Sequence, residues 1–87
     1  MLHTLQTIIA KSESKTDKMI LLVLREYENA LHKHPKPFQS PYDGYGVILE
    51  ELDETWDAIK KHCGEETMKN EMKAVAAMAI RFLIDCC

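Results

Sequence analysis

The segment VAAMAIRFLI at residues 75–84 is the strongest indicator of the fold, because a helix formed by it is apolar on nearly every side. A helix that is apolar all round is normally buried all round. The chain beyond Gly64 contains no glycine or proline, which favours one uninterrupted helix over about residues 65–85. Since a chain of 87 residues supplies few neighbours to cover such a helix, we expect a second subunit to complete its burial.

A second helix is predicted before Gly64, over about residues 45–61. Its apolar residues recur at helical spacing and form one stripe, while acidic residues occupy the opposite arc. Gly64 is expected to end this helix as a C-terminal glycine. The stripe consists of Tyr45, Ile48, Leu49, Leu52, Trp56 and Ile59, and the acidic arc of Glu50, Glu51, Asp53, Glu54 and Asp57.

A further helix precedes these two. Ser14, followed three residues later by Asp17, is typical of a capped helix start, and Pro35 forbids continuation of the helix. Its apolar positions are Ile20, Val23, Leu24, Tyr27 and Leu31, and a shorter helical spacing lies upstream at Leu2, Leu5, Ile8 and Ile9. We therefore expect an all-α fold, a bundle of three to four helices completed by dimerisation, with residues 1–87 as one domain.

The connection over residues 34–44 contains three prolines and two aromatic residues, Phe38 and Tyr42. We predict either a plain connector or a substrate-facing lip on which a base stacks.

Composition narrows the classes of function. The net charge is −3 and no basic patch is visible, which argues against a nucleic-acid binder. No apolar segment reaches the roughly 18 residues needed to cross a bilayer, so no membrane partner is expected. There is no secretory leader pattern after Met1, and three cysteines make a poor disulfide framework, so we expect a cytoplasmic protein.

The strongest chemical signal is the carboxylate cluster of the second helix. Glu51 and Glu54 are three residues apart, and Glu50 and Glu54 are four apart, so they project from neighbouring positions. Like charges at these spacings repel and oppose helix formation unless a cation intervenes. One interpretation is a metal site, and the other is an ordinary solvated acidic face.

Glu71 favours the metal site. It shares a helical face with Val75, Met78 and Phe82 and therefore points toward the interior, where an unpaired carboxylate is costly. If the second and third helices pack antiparallel, Glu71 approaches Glu51 and Glu54, and three converging carboxylates suit Mg²⁺. The alternative is that Glu71 pairs with a basic side chain, for which Arg25, Lys60 and Arg81 are the candidates.

These residues resemble a known family. The pattern EELDE (residues 50–54), followed by Glu71 after a gap of 16 residues from Glu54, resembles the Glu-x-x-Glu and Glu-x-x-Asp signature of the all-α, MazG-like NTP pyrophosphohydrolases. The segments GYGVILEELDE (residues 44–54) and VAAMAIRF (75–82) are similar to the short MazG-like proteins of phages and prophages. The resemblance covers roughly residues 20–86.

The resemblance implies a homodimer or homotetramer that hydrolyses a nucleoside triphosphate to the monophosphate and pyrophosphate. It implies metal ligation by Glu51, Glu54 and Glu71, with Glu50 as a further ligand, Mg²⁺ as the metal and Mn²⁺ as its alternative. Glu51 and Glu54 would be the catalytic pair.

The sequence departs from the signature at Ala74, which stands where an aspartate ligand is expected. We expect no counterpart of the fourth helix that often supplies phosphate-binding cations in this family, and Lys60, Lys61 and Arg81 are the candidate substitutes. Three hypotheses follow: a pyrophosphohydrolase weakened at the metal, a non-catalytic helical dimer with a structural or regulatory phage-related role, and nucleotide binding without turnover.

Overall fold

A computed structural model describes residues 14–87 of the chain, and they form three α-helices without a strand. Helix α1 spans Lys15–Lys33, α2 spans Pro41–Lys60, and α3 spans Glu65–Cys86. The all-α class is confirmed. The helical spacing predicted at Leu2, Leu5, Ile8 and Ile9 lies outside the described residues.

Helix α3 is the centre of the fold. It packs against both α1 and α2, whose backbones do not pack closely on each other. Contacts between α3 and α2 join the start of one helix to the end of the other, so the expected antiparallel packing is observed. The body measures 37 × 34 × 20 Å and is therefore flat, about two helices thick at its thinnest.

Both ends of α1 follow the sequence. The Ser14 hydroxyl accepts a hydrogen bond from the Asp17 amide at 3.1 Å, which is the predicted N-cap. Leu24 and Tyr27 are the buried residues of the helix, and Pro35 follows its C-cap at His34.

Helix α2 begins four residues earlier than predicted. The Ser40 hydroxyl caps the Asp43 amide at 3.1 Å, and the Asp43 carboxylate accepts from the Gln39 amide at 3.0 Å. Pro41 occupies the first turn, where its missing amide proton is not needed. The connection is therefore only residues 34–40, and Tyr42 and Gly44 belong to the helix.

The end of α2 also differs from the prediction. The helix is closed by His62, whose φ of 52° is left-handed. The His62 amide donates to the Ile59 carbonyl at 3.2 Å and the Cys63 amide to the Ala58 carbonyl at 3.1 Å, as in a Schellman motif. Gly64, with φ of 99°, is instead the N-cap of α3.

The face of α2 that packs on α3 is not its large apolar stripe. The buried residues are small, namely Gly44, Thr55 and Ala58, and they allow the two helices to approach closely. Five of the six stripe residues are exposed, from 41% at Ile59 to 64% at Tyr45. The stripe is therefore uncovered within one chain.

The apolar run of α3 is only partly covered. Ala77 is fully buried, whereas Leu83 and Ile84 remain 64% and 59% exposed. Within residues 14–87, no helix combines the length and apolar character needed to cross a membrane.

Gly44 lies at a close contact between α2 and α3. A methyl group placed on it would lie 2.7 Å from the Phe82 ring and 2.9 Å from the Phe38 ring, whereas one on Gly46 would meet nothing within 4 Å. Alanine favours a helix over glycine by about 1 kcal/mol at either site, but overpacking costs about 1–3 kcal/mol at residue 44.

We therefore expect Gly46→Ala to raise the free energy of unfolding and Gly44→Ala to lower it. Urea unfolding of both variants measures the difference. Equal stability of the two alanine variants would contradict the packing described at Gly44.

Candidate metal centre

Three carboxylates converge where the middle of α2 faces the first half of α3. One oxygen from each of Glu51, Glu54 and Glu71 lies within 4.8 Å of the others. The helical spacing aligns the first two on α2, and the antiparallel packing brings the third from α3. We call these three residues the carboxylate triad.

The electrostatic environment of the triad is unfavourable without a cation. Glu51 and Glu71 are half-buried and Glu54 is exposed. Burial raises the pKa of Glu51 above its ordinary value of 4.5, and the negative charges of Glu54 and Glu71 raise it further. The triad therefore favours either proton uptake or a cation.

The donor set suits a hard divalent cation. Mg²⁺ binds oxygen at about 2.0–2.1 Å, so two of its ligands lie at most about 4.2 Å apart. The triad oxygens lie within 4.8 Å of one another, which is close to that separation. Two of the three basic partners considered for Glu71 form ion pairs elsewhere. Lys60 pairs with Asp57, and Arg81 pairs with Asp85.

The structure adds a fourth carboxylate, Glu26 of α1, that sequence reasoning missed. Its charge contributes to the raised pKa of Glu51, and it lines the same cleft as Glu51. Lys73 lies 3.9 Å from it, at the limit of an ion pair. The only sequence signal is its position three residues after Val23, on the flank of the apolar face of α1.

The other predicted site residues lie outside the triad. Glu50 is exposed and is not among the three converging carboxylates. The Lys60 ammonium group lies 3.5 Å from Asp57 and 5.6 Å from the centre of the Trp56 ring. Lys61 is exposed at the C-cap of α2.

Arg81 is buried, with a side chain only 3% exposed. It donates to the carbonyls of Ala30, His34 and Lys36 and to the Asp85 carboxylate at 3.3 Å. Asp85 in turn accepts from the Phe38 amide at 3.0 Å. The guanidinium group expected to bind substrate thus fastens residues 34–38 to α3.

Phe38 and Tyr42, the two aromatic residues of the predicted lip, have different surroundings. Phe38 is half-buried, and its ring centre is 5.5 Å from the Arg81 guanidinium. Tyr42 is 89% exposed on α2.

The raised pKa of Glu51 predicts a pH-dependent stability for the metal-free protein. The folded chain holds a proton on Glu51 more readily than the unfolded chain, so the resulting stability is present below pH 4.5 and is lost as the pH rises through the raised value. At pH 7 in a chelator, Glu51→Gln should therefore raise the free energy of unfolding by about 0.5 kcal/mol.

Thermal unfolding measures this effect, which corresponds to about 2–4 °C for a domain of this size. The gain should shrink near pH 4. Asp53→Asn, which removes an exposed carboxylate outside the triad, is the control. A Glu51→Gln variant less stable than wild type at pH 7 without metal would show that Glu51 is not under this electrostatic stress.

Comparisons of the chain with protein-family models, with curated proteins and with solved structures gave no match.

Proposed function

We propose that this protein is a metal-dependent nucleoside triphosphate pyrophosphohydrolase. The observation that supports the proposal is the convergence of Glu51, Glu54 and Glu71 within 4.8 Å on two packed helices. A cleft of about 590 Å³ opens beside Glu51 and gives room for a ligand. The resemblance to MazG-like enzymes suggests the reaction, in which water attacks the α-phosphorus and pyrophosphate leaves.

Glu51, Glu54 and Glu71 would hold Mg²⁺, or Mn²⁺ in its place. When bound, such a metal neutralises phosphate charge and acidifies water. The chain itself supplies the rest: α2 fixes Glu51 and Glu54 three residues apart, and α3 fixes Glu71 opposite them. Glu26 adds negative charge from the third side.

A panel of ribo- and deoxyribonucleoside triphosphates, assayed for pyrophosphate release, tests the proposal. We expect at least one substrate to turn over with Mg²⁺ and none in a chelator. If none turns over with Mg²⁺ or Mn²⁺, the pyrophosphohydrolase proposal fails.

A second candidate function is a non-catalytic helical dimer with a structural or regulatory role. Ala74 favours it, because this residue lines the cleft and contributes no oxygen to a metal. Ala74→Asp separates the two functions. A weakened enzyme should gain metal affinity or rate, and a scaffold should gain neither.

A homodimer is the assembly that the exposed stripe of α2 favours. Tyr42, Tyr45, Leu49, Leu52, Trp56 and Ile59 follow one another at alternating spacings of three and four residues, and each is at least 41% exposed. This heptad spacing is that of a coiled-coil seam, which two copies of one helix can bury against each other. A contiguous apolar patch of this kind is unusual on a monomer.

Leu52→Glu should therefore dissociate the dimer, since a charge in the seam loses its water on association. Sedimentation velocity measures the mass of the assembly. Asn29→Glu, which places the same charge on the exposed surface of α1, should leave the mass unchanged. A wild-type chain that sediments as a monomer at high micromolar concentration would contradict the seam.

A further inference from the structure

The cleft beside the triad runs between α1 and α2, over α3. The two outer helices leave a space of about 590 Å³ between them above the central helix. Glu51 belongs both to the triad and to the wall of this cleft. A ligand that contacts Glu51 can therefore extend from the triad into this cleft.

Acidic residues line the cleft next to the triad, and two lysines line its other end. Glu26 and Glu51 lie next to the triad, whereas Lys33 and Lys36 line the end formed by the connection between α1 and α2, which we call the cationic end. Asp43 also lines the cleft, and its carboxylate accepts a hydrogen bond from the Gln39 amide. Glu26 and Lys33 are seven residues apart on α1, which is about 10.5 Å along the helix axis. Within residues 14–87, the ammonium groups of Lys33 and Lys36 have no carboxylate partner within ion-pair distance.

The cationic end is held in place by buried bonds. Arg81 binds the carbonyls of His34 and Lys36, the latter at 2.8 Å, and Asp85 binds the Phe38 amide. This fixes the backbone around Lys36 while its side chain stays exposed. Between the charged ends, the lining includes the side chains of Val47, Ala74 and Met78.

We propose that Lys33 and Lys36 bind the terminal phosphates of the nucleoside triphosphate. This inference rests on the proposed function and assigns the polyphosphate to the cleft. The α-phosphate, at which water attacks, would lie at the triad, where the metal offsets its charge, and the β- and γ-phosphates would extend from there toward the two lysines. The flexible stems of lysine reach into the space between the ends of the cleft.

Lys60 and Lys61, the two lysines that the sequence suggested for phosphate binding, are less well placed for that role. Lys60 and Lys61 lie at the far end of α2 and do not line the cleft. Lys60 is also engaged by Asp57 and stacks over Trp56. They therefore provide a control pair that carries the same charge change.

Calorimetric titration with inorganic tripolyphosphate and with orthophosphate, both in Mg²⁺, tests the assignment. Lys33→Gln/Lys36→Gln should weaken tripolyphosphate binding at least about tenfold, since each lysine makes charged hydrogen bonds. The same double variant should lose less affinity for orthophosphate, because orthophosphate is too short to span the cleft. Lys60→Gln/Lys61→Gln should bind tripolyphosphate within about twofold of wild type.

Tripolyphosphate binding within twofold of wild type in the Lys33/Lys36 variant overturns the assignment, and so does a larger loss in the Lys60/Lys61 variant. If the wild-type protein nevertheless releases pyrophosphate from a nucleotide, the proposed function stands without the assignment of Lys33 and Lys36. A wild-type chain that binds no tripolyphosphate and hydrolyses no nucleotide overturns both.

Discussion

Glu54→Gln is expected to lower the rate of pyrophosphate release about 100-fold or more on whichever nucleotide the wild type hydrolyses. The substitution keeps the shape of the side chain but replaces one of three converging carboxylates by a neutral amide. Metal-supplied charge stabilisation amounts to several kcal/mol, and each 1.36 kcal/mol changes the rate tenfold. Because Glu54 is exposed, the variant should fold as well as the wild type.

Glu50→Gln is the matched control for this experiment. It removes the same charge from the same acidic helix, but from an exposed residue outside the triad. Its rate should stay within about threefold of wild type, since surface charges couple weakly. Equal losses in the two variants would mean that the overall acidity of α2, and not the triad, governs the reaction.

Arg81→Ala is expected to cost about 3–5 kcal/mol of stability, the usual cost of removing one partner of a buried ion pair. The variant leaves Asp85, which is 11% exposed, without its cation, and it leaves the carbonyls of His34 and Lys36 without a donor. The total free energy of unfolding of a domain of this size is roughly 4–13 kcal/mol, so the substitution removes a large part of it. Urea denaturation followed by circular dichroism measures it.

Arg25→Ala controls for the loss of an arginine from a helix surface, because Arg25 is exposed on α1. It should change the free energy of unfolding by no more than about 0.5 kcal/mol. The free energy of unfolding of Arg81→Lys should lie between those of Arg81→Ala and Arg25→Ala, since lysine keeps the charge but cannot reproduce the planar fork of donors. An Arg81→Ala variant as stable as Arg25→Ala would refute the fastening role.

The sequence predicted the helices well because their signals are local. Ser14 and Pro35 set the ends of α1, and the run at residues 75–84 identifies α3. It failed at the ends of α2, where two glycines misled the prediction. Gly44 lies inside α2, and a glycine stands there because Phe82 and Phe38 leave no room for a side chain. Gly64 caps the start of α3, since His62 already closes α2.

The triad was predicted from spacing together with one assumption about packing, which the antiparallel arrangement of α2 and α3 satisfies. Glu26 could not be predicted in the same way, since its position near Glu51 depends on how α1 lies against α3. Arg81 carried a signal that was overlooked. A lone arginine in an apolar run, with Asp85 four residues later, is the pattern of a buried pair.

The metal centre is tested most directly by titrating the ¹⁵N-labelled, nucleotide-free protein with substoichiometric Mn²⁺ and following the line broadening by NMR. Mn²⁺ shares the oxygen preference of Mg²⁺ and broadens only signals near it. We expect the amides of Glu51, Glu54 and Glu71 to broaden first, and Glu54→Gln to abolish the effect. Broadening spread evenly over exposed acidic residues such as Asp53 and Glu66, and unchanged in Glu54→Gln, would contradict a metal centre at the triad.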